Sequence, residues 1–83
     1  MTDSTKKLEE LFKVVQTTSD IRARSELYKF YMNCKHVVIA INKEEVECRR
    51  LKKVTPKYTD LQKELEESVK VFEHWVILAK LMY

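Results

Sequence analysis

The sequence predicts an all-α fold, a short N-terminal helix followed by a long antiparallel helical hairpin, and three observations support it. The 83 residues contain no glycine and one proline, so the tight turns that a β-rich fold requires are nearly absent. Hydrophobic residues make up 45% of the chain, more than a disordered segment carries. Apolar residues recur at spacings of three and four, the period of a helix with one buried face. We expect a single helical domain over residues 1–83.

The first predicted helix covers about residues 4–16. N-cap side chains are available from Thr2 to Ser4. One face of the helix is apolar: Leu8, Leu11, Phe12 and Val15. Residues 17–20 then read Thr-Thr-Ser-Asp, four side chains that favour caps and turns over a helix interior. The chain should break there, with Ser19 or Asp20 capping the next helix.

The second predicted helix covers about residues 21–53, where the sequence contains no helix breaker. A heptad-like stripe runs along it at alternating spacings of four and three: Leu27, Tyr31, Cys34, Val38, Ile41, Glu45 and Cys48. Glu45 is the one member that does not fit an apolar face. The residue before a proline is disfavoured in the α conformation, so the chain should turn at 54–55.

The third predicted helix covers about residues 56–82. Thr55 is a suitable N-cap, and Pro56 suits the first helical position. Its main apolar stripe has seven members: Tyr58, Leu61, Leu65, Phe72, Trp75, Ala79 and Met82. From residue 69 onward further apolar residues lie off that stripe: Val71, Ile77, Leu78 and Leu81. This end of the helix should therefore be covered on more than one side.

The predicted turn also predicts which residues of the hairpin meet. A turn at 54–55 brings residue 35 beside Trp75 and residue 27 beside Tyr83. Phe30 falls off the main stripe of the second helix, so we expect it to contact the first helix or a partner.

Both long helices have wider apolar faces than one thin hairpin covers, which predicts association. We expect the three-helix, coiled-coil-like bundle to be completed by oligomerisation. The partner would be a second copy, in a homodimer or higher oligomer, or another helical protein. The residues predicted for this interface come from both long helices: Tyr31, Val38, Ile41, Leu65, Phe72, Trp75, Val76, Leu78 and Met82.

These features predict a non-enzymatic protein–protein interaction module. We expect a structural or adaptor subunit of an intracellular coiled-coil assembly, of the kind found in cytoskeletal, kinetochore or vesicle-adaptor complexes. The acidic residues of the third helix, Asp60, Glu64, Glu66 and Glu67, read as a solvated face, from which Glu64 is available to lysines of other helices.

The alternative hypothesis is a polyanion-binding module. Residues 21–55 contain nine basic and four acidic residues, whereas the two flanking segments are each slightly acidic. Five basic residues cluster at the predicted turn: Arg49, Arg50, Lys52, Lys53 and Lys57. Their ligand would be nucleic acid, acidic lipid or an acidic protein tail. The simpler interpretation is a solvated helix end that complements the helix dipole.

Catalytic, metal and cofactor sites are not predicted. A catalytic site needs a nucleophile, a base and an oxyanion-stabilising loop that converge, and a glycine-free helical rod offers no such loop. Cys34 and His36 are two residues apart on a helix, so they point in nearly opposite directions and cannot share a metal ion. Cys34 and Cys48 read as small core hydrophobes with free thiols.

The location predicted for the chain is intracellular, either cytoplasmic or nuclear. The N-terminal sequence MTDSTKKLEE lacks the apolar region of a signal peptide. No run approaches the roughly 18–20 apolar residues of a transmembrane helix.

Overall fold

The computed structural model of the chain describes residues 2–82, which form three α-helices and no strand. The helices are α1 (Thr2–Thr17), α2 (Ile21–Leu51) and α3 (Pro56–Met82). α2 and α3 form the antiparallel hairpin, and α1 folds back along α2 to give a rod of 48 × 17 × 15 Å. The predicted all-α class and its order of a short helix followed by a long hairpin are confirmed.

Asp20 fixes the junction between α1 and α2. Its backbone is extended, with φ −77° and ψ 128°, and its carboxylate accepts a hydrogen bond of 3.0 Å from the backbone N–H of Ala23. Of the two cap residues that the sequence offers, Asp20 is therefore the N-cap. At the end of α1 the Thr18 hydroxyl donates to the carbonyl of Val14 over 2.7 Å, which satisfies one of the terminal carbonyls.

α2 ends at Leu51, two residues earlier than predicted. Lys52 adopts the left-handed conformation, with φ 56° and ψ 37°. The N–H of Lys53 donates to the carbonyl of Cys48 over 3.1 Å, and the N–H of Lys52 donates to the carbonyl of Arg49 over 3.3 Å. This is the Schellman arrangement, which usually has glycine at the left-handed position. Because a lysine stands there, the sequence did not indicate where the helix ends.

Thr55 holds the other side of the turn. Its hydroxyl oxygen accepts a hydrogen bond from the N–H of Tyr58 over 3.2 Å, which confirms the predicted N-cap of α3. The same hydroxyl donates to the Glu44 carboxylate over 2.6 Å. Close by, the Tyr58 hydroxyl donates to Glu45 over 3.4 Å, so the one polar member of the predicted heptad-like row from Leu27 to Cys48 has a polar partner on α3.

The core lies along α2 and is covered by both other helices. Its buried members are Leu11, Val15, Leu27, Tyr31, Cys34, Val37, Val38, Ile41, Leu65 and Phe72. The first five apolar positions of the heptad-like row predicted for the second helix are all among them. α1 contributes Leu11 and Val15, which are 4% and 3% exposed, so α1 covers part of the apolar surface of its own hairpin.

The register of the hairpin differs from the predicted one. Trp75 stacks on Phe30, five residues from the predicted position 35. The prediction was wrong because the chain already reverses at Lys52, before the residues that the proline signal marks. Phe30 thus packs against α3, a contact that the sequence analysis did not predict. The prediction for Tyr83 lies outside the described residues.

Candidate docking surface

An apolar strip remains on one side of α3 after the three helices have packed. It consists of Val71, Trp75, Leu78 and Met82, at spacings of four, three and four, which place the side chains in one row. Val71 is 44% exposed and Met82 is 67% exposed, while Trp75 and Leu78 are half-buried. We call this row the α3 strip.

The α3 strip borders α2 along shallow depressions. The rings of Phe30 and Trp75 are stacked across the two helices, with centroids 5.3 Å apart and planes inclined by 18°. Toward the turn, a depression of about 250 Å³ is lined by Phe30, Asn33, Glu64, Glu67, Ser68 and Val71. Toward the other end, a small one is lined by Ala23, Glu26, Leu27, Trp75, Ala79 and Met82. Val71, Trp75 and Met82 of the strip therefore line a shallow groove between α2 and α3, and the end of this groove toward the turn is largely polar.

Carboxylates border this groove. The row of the α3 strip continues toward the turn with Glu67 and Glu64, and neither forms an ion pair with another residue between 2 and 82. Glu26 lies across the groove on α2 and is paired with Lys29, at 3.3 Å between Oε1 and Nζ. The groove therefore presents apolar side chains with a net negative border.

The nine predicted interface residues divide into three groups. Five are buried in the core of this chain: Tyr31, Val38, Ile41, Leu65 and Phe72. Three belong to the α3 strip: Trp75, Leu78 and Met82. Val76 is half-buried beside α1. Contact of any of them with a second protein stays a prediction.

Val71 was missing from the predicted interface. The signal for it is present in the sequence, because positions 71, 75, 78 and 82 form a heptad row of their own. That row shares Trp75 and Met82 with the main stripe of α3. Because these two residues were assigned to the main stripe, the second row was not recognised.

A second groove separates α1 from α3. Two depressions of about 470 and 320 Å³ run along it, and both are lined by Val14 and Val76. Lys7 crosses this groove, with its Nζ 3.4 Å from Oε1 of Glu73. The exposed side chain of Ile77 lies at its edge. This groove is thus bridged by a charged pair, whereas no ion pair among the described residues crosses the α3 strip.

The basic residues of the turn lie on the surface. Arg50 donates a bidentate pair of hydrogen bonds to the Glu47 carboxylate, at 2.8 and 3.2 Å. These bonds raise the pKa of Arg50 and lower the pKa of Glu47. The other four predicted anion-binding residues, Arg49, Lys52, Lys53 and Lys57, are exposed, and none forms an ion pair with another described residue. They leave a patch of uncompensated positive charge.

The two thiols have different surroundings. Cys34 is completely buried, and this burial raises the pKa of its thiol. Cys48 is half-buried, with its sulfur 3.7 Å from the Thr55 hydroxyl. Among the side chains that the structure describes, from residue 4 to residue 82, no group of three His, Cys, Asp or Glu could hold a metal ion.

None of the three helices, over the residues described, combines the length and the apolarity needed to cross a membrane. The comparisons with known proteins add no family: no family model, curated protein or solved structure matches this chain.

Proposed function

We propose that the chain is a non-enzymatic protein–protein interaction module that associates with other polypeptides through the α3 strip. The supporting observation is that this row of apolar residues remains accessible after α1 and α2 have packed, with Val71 and Met82 each more than two-fifths exposed. In this proposal the occupant of the strip is a helix, either from a second copy or from another subunit of an assembly.

The spacing of the α3 strip favours a helix as the occupant. Single exposed apolar residues are normal on a protein surface, whereas a contiguous row indicates an interaction site. Residues at alternating spacings of four and three form the row into which the side chains of a second helix pack. Trp and Met, both present in the row, are enriched at the centres of protein interfaces.

The proposal is tested with two matched variants of α3. Val71→Glu/Met82→Glu places two charges in the α3 strip. Ile77→Glu/Leu81→Glu places the same two charges at exposed apolar positions on another side of the helix. Each tagged protein is used to capture partners from cells that produce the chain naturally. Circular dichroism checks that both variants remain helical.

We expect the Val71/Met82 variant to lose the polypeptides that the wild type captures, including any second copy of this chain. The Ile77/Leu81 variant should retain them. Retention by both variants would contradict the proposal. Loss with the Ile77/Leu81 variant alone would also contradict it, and would assign docking to the groove between α1 and α3.

A second candidate function is supported by the exposed basic residues of the turn. Arg49, Lys52, Lys53 and Lys57 are free of ion pairs with other described residues, as a site for a polyanion requires. A fluorescent single-stranded oligonucleotide and a polyglutamate peptide serve as probes. Binding that falls with salt, and is lost in Lys52→Glu/Lys53→Glu but kept in Lys6→Glu/Lys13→Glu, would support this function. Equal binding by both variants would contradict it.

A further inference from the structure

We infer that the occupant of the α3 strip is a second copy of this chain, which docks the outward face of its own α2 there. This inference rests on the proposed function and names the partner. It depends on a second surface of the molecule that complements the α3 strip in shape, charge and spacing.

That second surface is a basic apolar stripe on α2. Met32, Ile39 and Val46 are seven residues apart and therefore lie in one row. Ile39 is 43% exposed and Val46 is 62% exposed, whereas Met32 is half-buried and packs against the core, so α1 and α3 leave the Ile39 and Val46 part of this row open. Lys43 and Arg50 lie within the same row, each four residues beyond one of its apolar members. We call these five residues the α2 stripe.

The two surfaces carry opposite charges. Apolar side chains of the α3 strip continue into Glu67 and Glu64, whereas those of the α2 stripe alternate with Lys43 and Arg50. Lys43, like the two glutamates, forms no ion pair with another described residue. Arg50 is bound to Glu47 at the surface, and because exposed ion pairs stabilise a protein little, Arg50 can exchange partners.

The spacings of the two surfaces also match. Position 50 is followed toward the N-terminus by 43, 39 and 32, in steps of seven, four and seven. Position 64 is followed toward the C-terminus by 71, 75 and 82, in the same steps. The outermost positions of each set are 18 residues apart, which is about 27 Å of helix. Two antiparallel helices can therefore place these four positions of one surface opposite these four positions of the other, while Val46 and Leu78 lie outside the matched set.

Charge selects this antiparallel orientation. It places Arg50 opposite Glu64, and Ile39 opposite Trp75. Lys43 then lies beside Val71, one turn from Glu67. The reverse orientation would place Arg50 at the apolar end of the α3 strip and leave Glu64 without a cation. Electrostatic complementarity of this kind determines the register and partner choice of helices more than their affinity.

The contact joins two different faces of the molecule. The α3 strip lies along the α2–α3 groove, while the α2 stripe lies on the outward side of α2. Each copy in such an assembly therefore binds one neighbour through its α3 strip and another neighbour through its α2 stripe. This is a head-to-tail interface, and assembly through it grows with concentration.

The test is charge reversal followed by mixing. Glu64→Lys/Glu67→Lys reverses the border of the α3 strip, and Lys43→Glu/Arg50→Glu reverses the α2 stripe. Glu9→Lys/Glu66→Lys is the control, since both residues are exposed and lie outside the two surfaces. Sedimentation velocity is measured for each full-length protein across a tenfold range of concentration, and thermal unfolding followed by circular dichroism verifies the fold.

We expect the wild type and the control to associate. Each reversed variant alone should associate at least tenfold more weakly. An equimolar mixture of the two reversed variants should recover association. Recovery occurs because each reversed surface then meets its reversed counterpart, while the two native surfaces still match. Loss without recovery in the mixture would overturn the inference, as would wild-type association by both variants. A wild type that stays monomeric at every concentration would overturn it too, and would leave the proposed function to be decided by the capture experiment.

Discussion

The ring of Phe30 lies against the indole of Trp75, with their centroids 5.3 Å apart and their planes inclined by 18°. This stack joins the first third of α2 to the last third of α3, in the register that the reversal at Lys52 gives the hairpin. Phe30 lines the depression toward the turn, and Trp75 lines the small depression toward the other end. The same pair therefore links the stability of the monomer to the shape of the candidate docking surface.

A double-mutant cycle should detect this stack. We expect Phe30→Ala and Trp75→Ala to be coupled by about 0.5–1.5 kcal/mol, the usual value for an aromatic pair beyond its area burial. The free energy of unfolding is measured by urea denaturation for the wild type, both single variants and the double variant. Additive effects of the two substitutions would contradict a direct contact.

Thr55→Ala should destabilise the protein by about 0.5–2 kcal/mol, the usual effect of losing an N-cap. It also removes the hydrogen bond of 2.6 Å to Glu44, which joins the two ends of the turn. Thr55→Ser keeps the hydroxyl and should retain most of the stability. If denaturant titration gave equal losses for Ala and Ser, the hydroxyl would have no part in holding the turn.

Lys52→Gly should stabilise the protein. A non-glycine residue in the left-handed region, such as Lys52, costs about 1–2 kcal/mol, and glycine removes this cost. Part of the resulting gain in stability is offset by the greater conformational freedom of glycine in the unfolded chain. We expect a net gain of about 0.5–1 kcal/mol. Thermal unfolding of Lys52→Gly is compared with that of Lys53→Gly, which has no positive φ to relieve. A melting temperature of Lys52→Gly below that of the wild type would contradict this account of the helix end.

The two cysteines should differ in reactivity. Cys34 has no exposed surface and a raised pKa, so its thiol is both inaccessible and protonated. We expect iodoacetamide to modify Cys48 first and Cys34 only when the protein opens, as peptide mass spectrometry over a time course would reveal. Faster modification of Cys34 than of Cys48 in the native protein would contradict the burial of Cys34 in the core.

The raised pKa of Cys34 also predicts a dependence of stability on pH. The folded state favours the neutral thiol, so its contribution to stability is complete below the ordinary thiol pKa of about 8.5. It is lost as pH rises from there toward the higher folded-state value. In urea titrations, the wild type should therefore lose stability relative to Cys34→Ala above that pH. A constant difference between the two proteins would contradict the prediction.

The helical period made much of the fold predictable. The buried row from Leu27 to Ile41 follows from spacing alone, because one face of a helix must be apolar to pack. The caps at Asp20 and Thr55 follow from side chains that can replace missing backbone partners. The end of α2 did not follow, because Lys52 takes a conformation that its side chain does not favour, and the error in register came from the same residue.

The candidate docking surface was only half predictable. Trp75, Leu78 and Met82 were identified from their apolar character, and all three lie in the α3 strip. Which apolar residues the chain covers by itself depends on the position of α1 and on the register of the hairpin. Neither is encoded in the periodicity of α3, so core and surface could not be separated for that helix.

Site-specific photo-crosslinking tests the central claim most directly. A benzophenone amino acid replaces Leu78 in the α3 strip, or Leu81 on another side of the same helix, and cells that make either protein are irradiated. We predict crosslinks from position 78 to a defined polypeptide, either a second copy or another helical protein, and few from position 81. Equal yields at both positions, or a higher yield at 81, would contradict the assignment of the α3 strip as the docking surface.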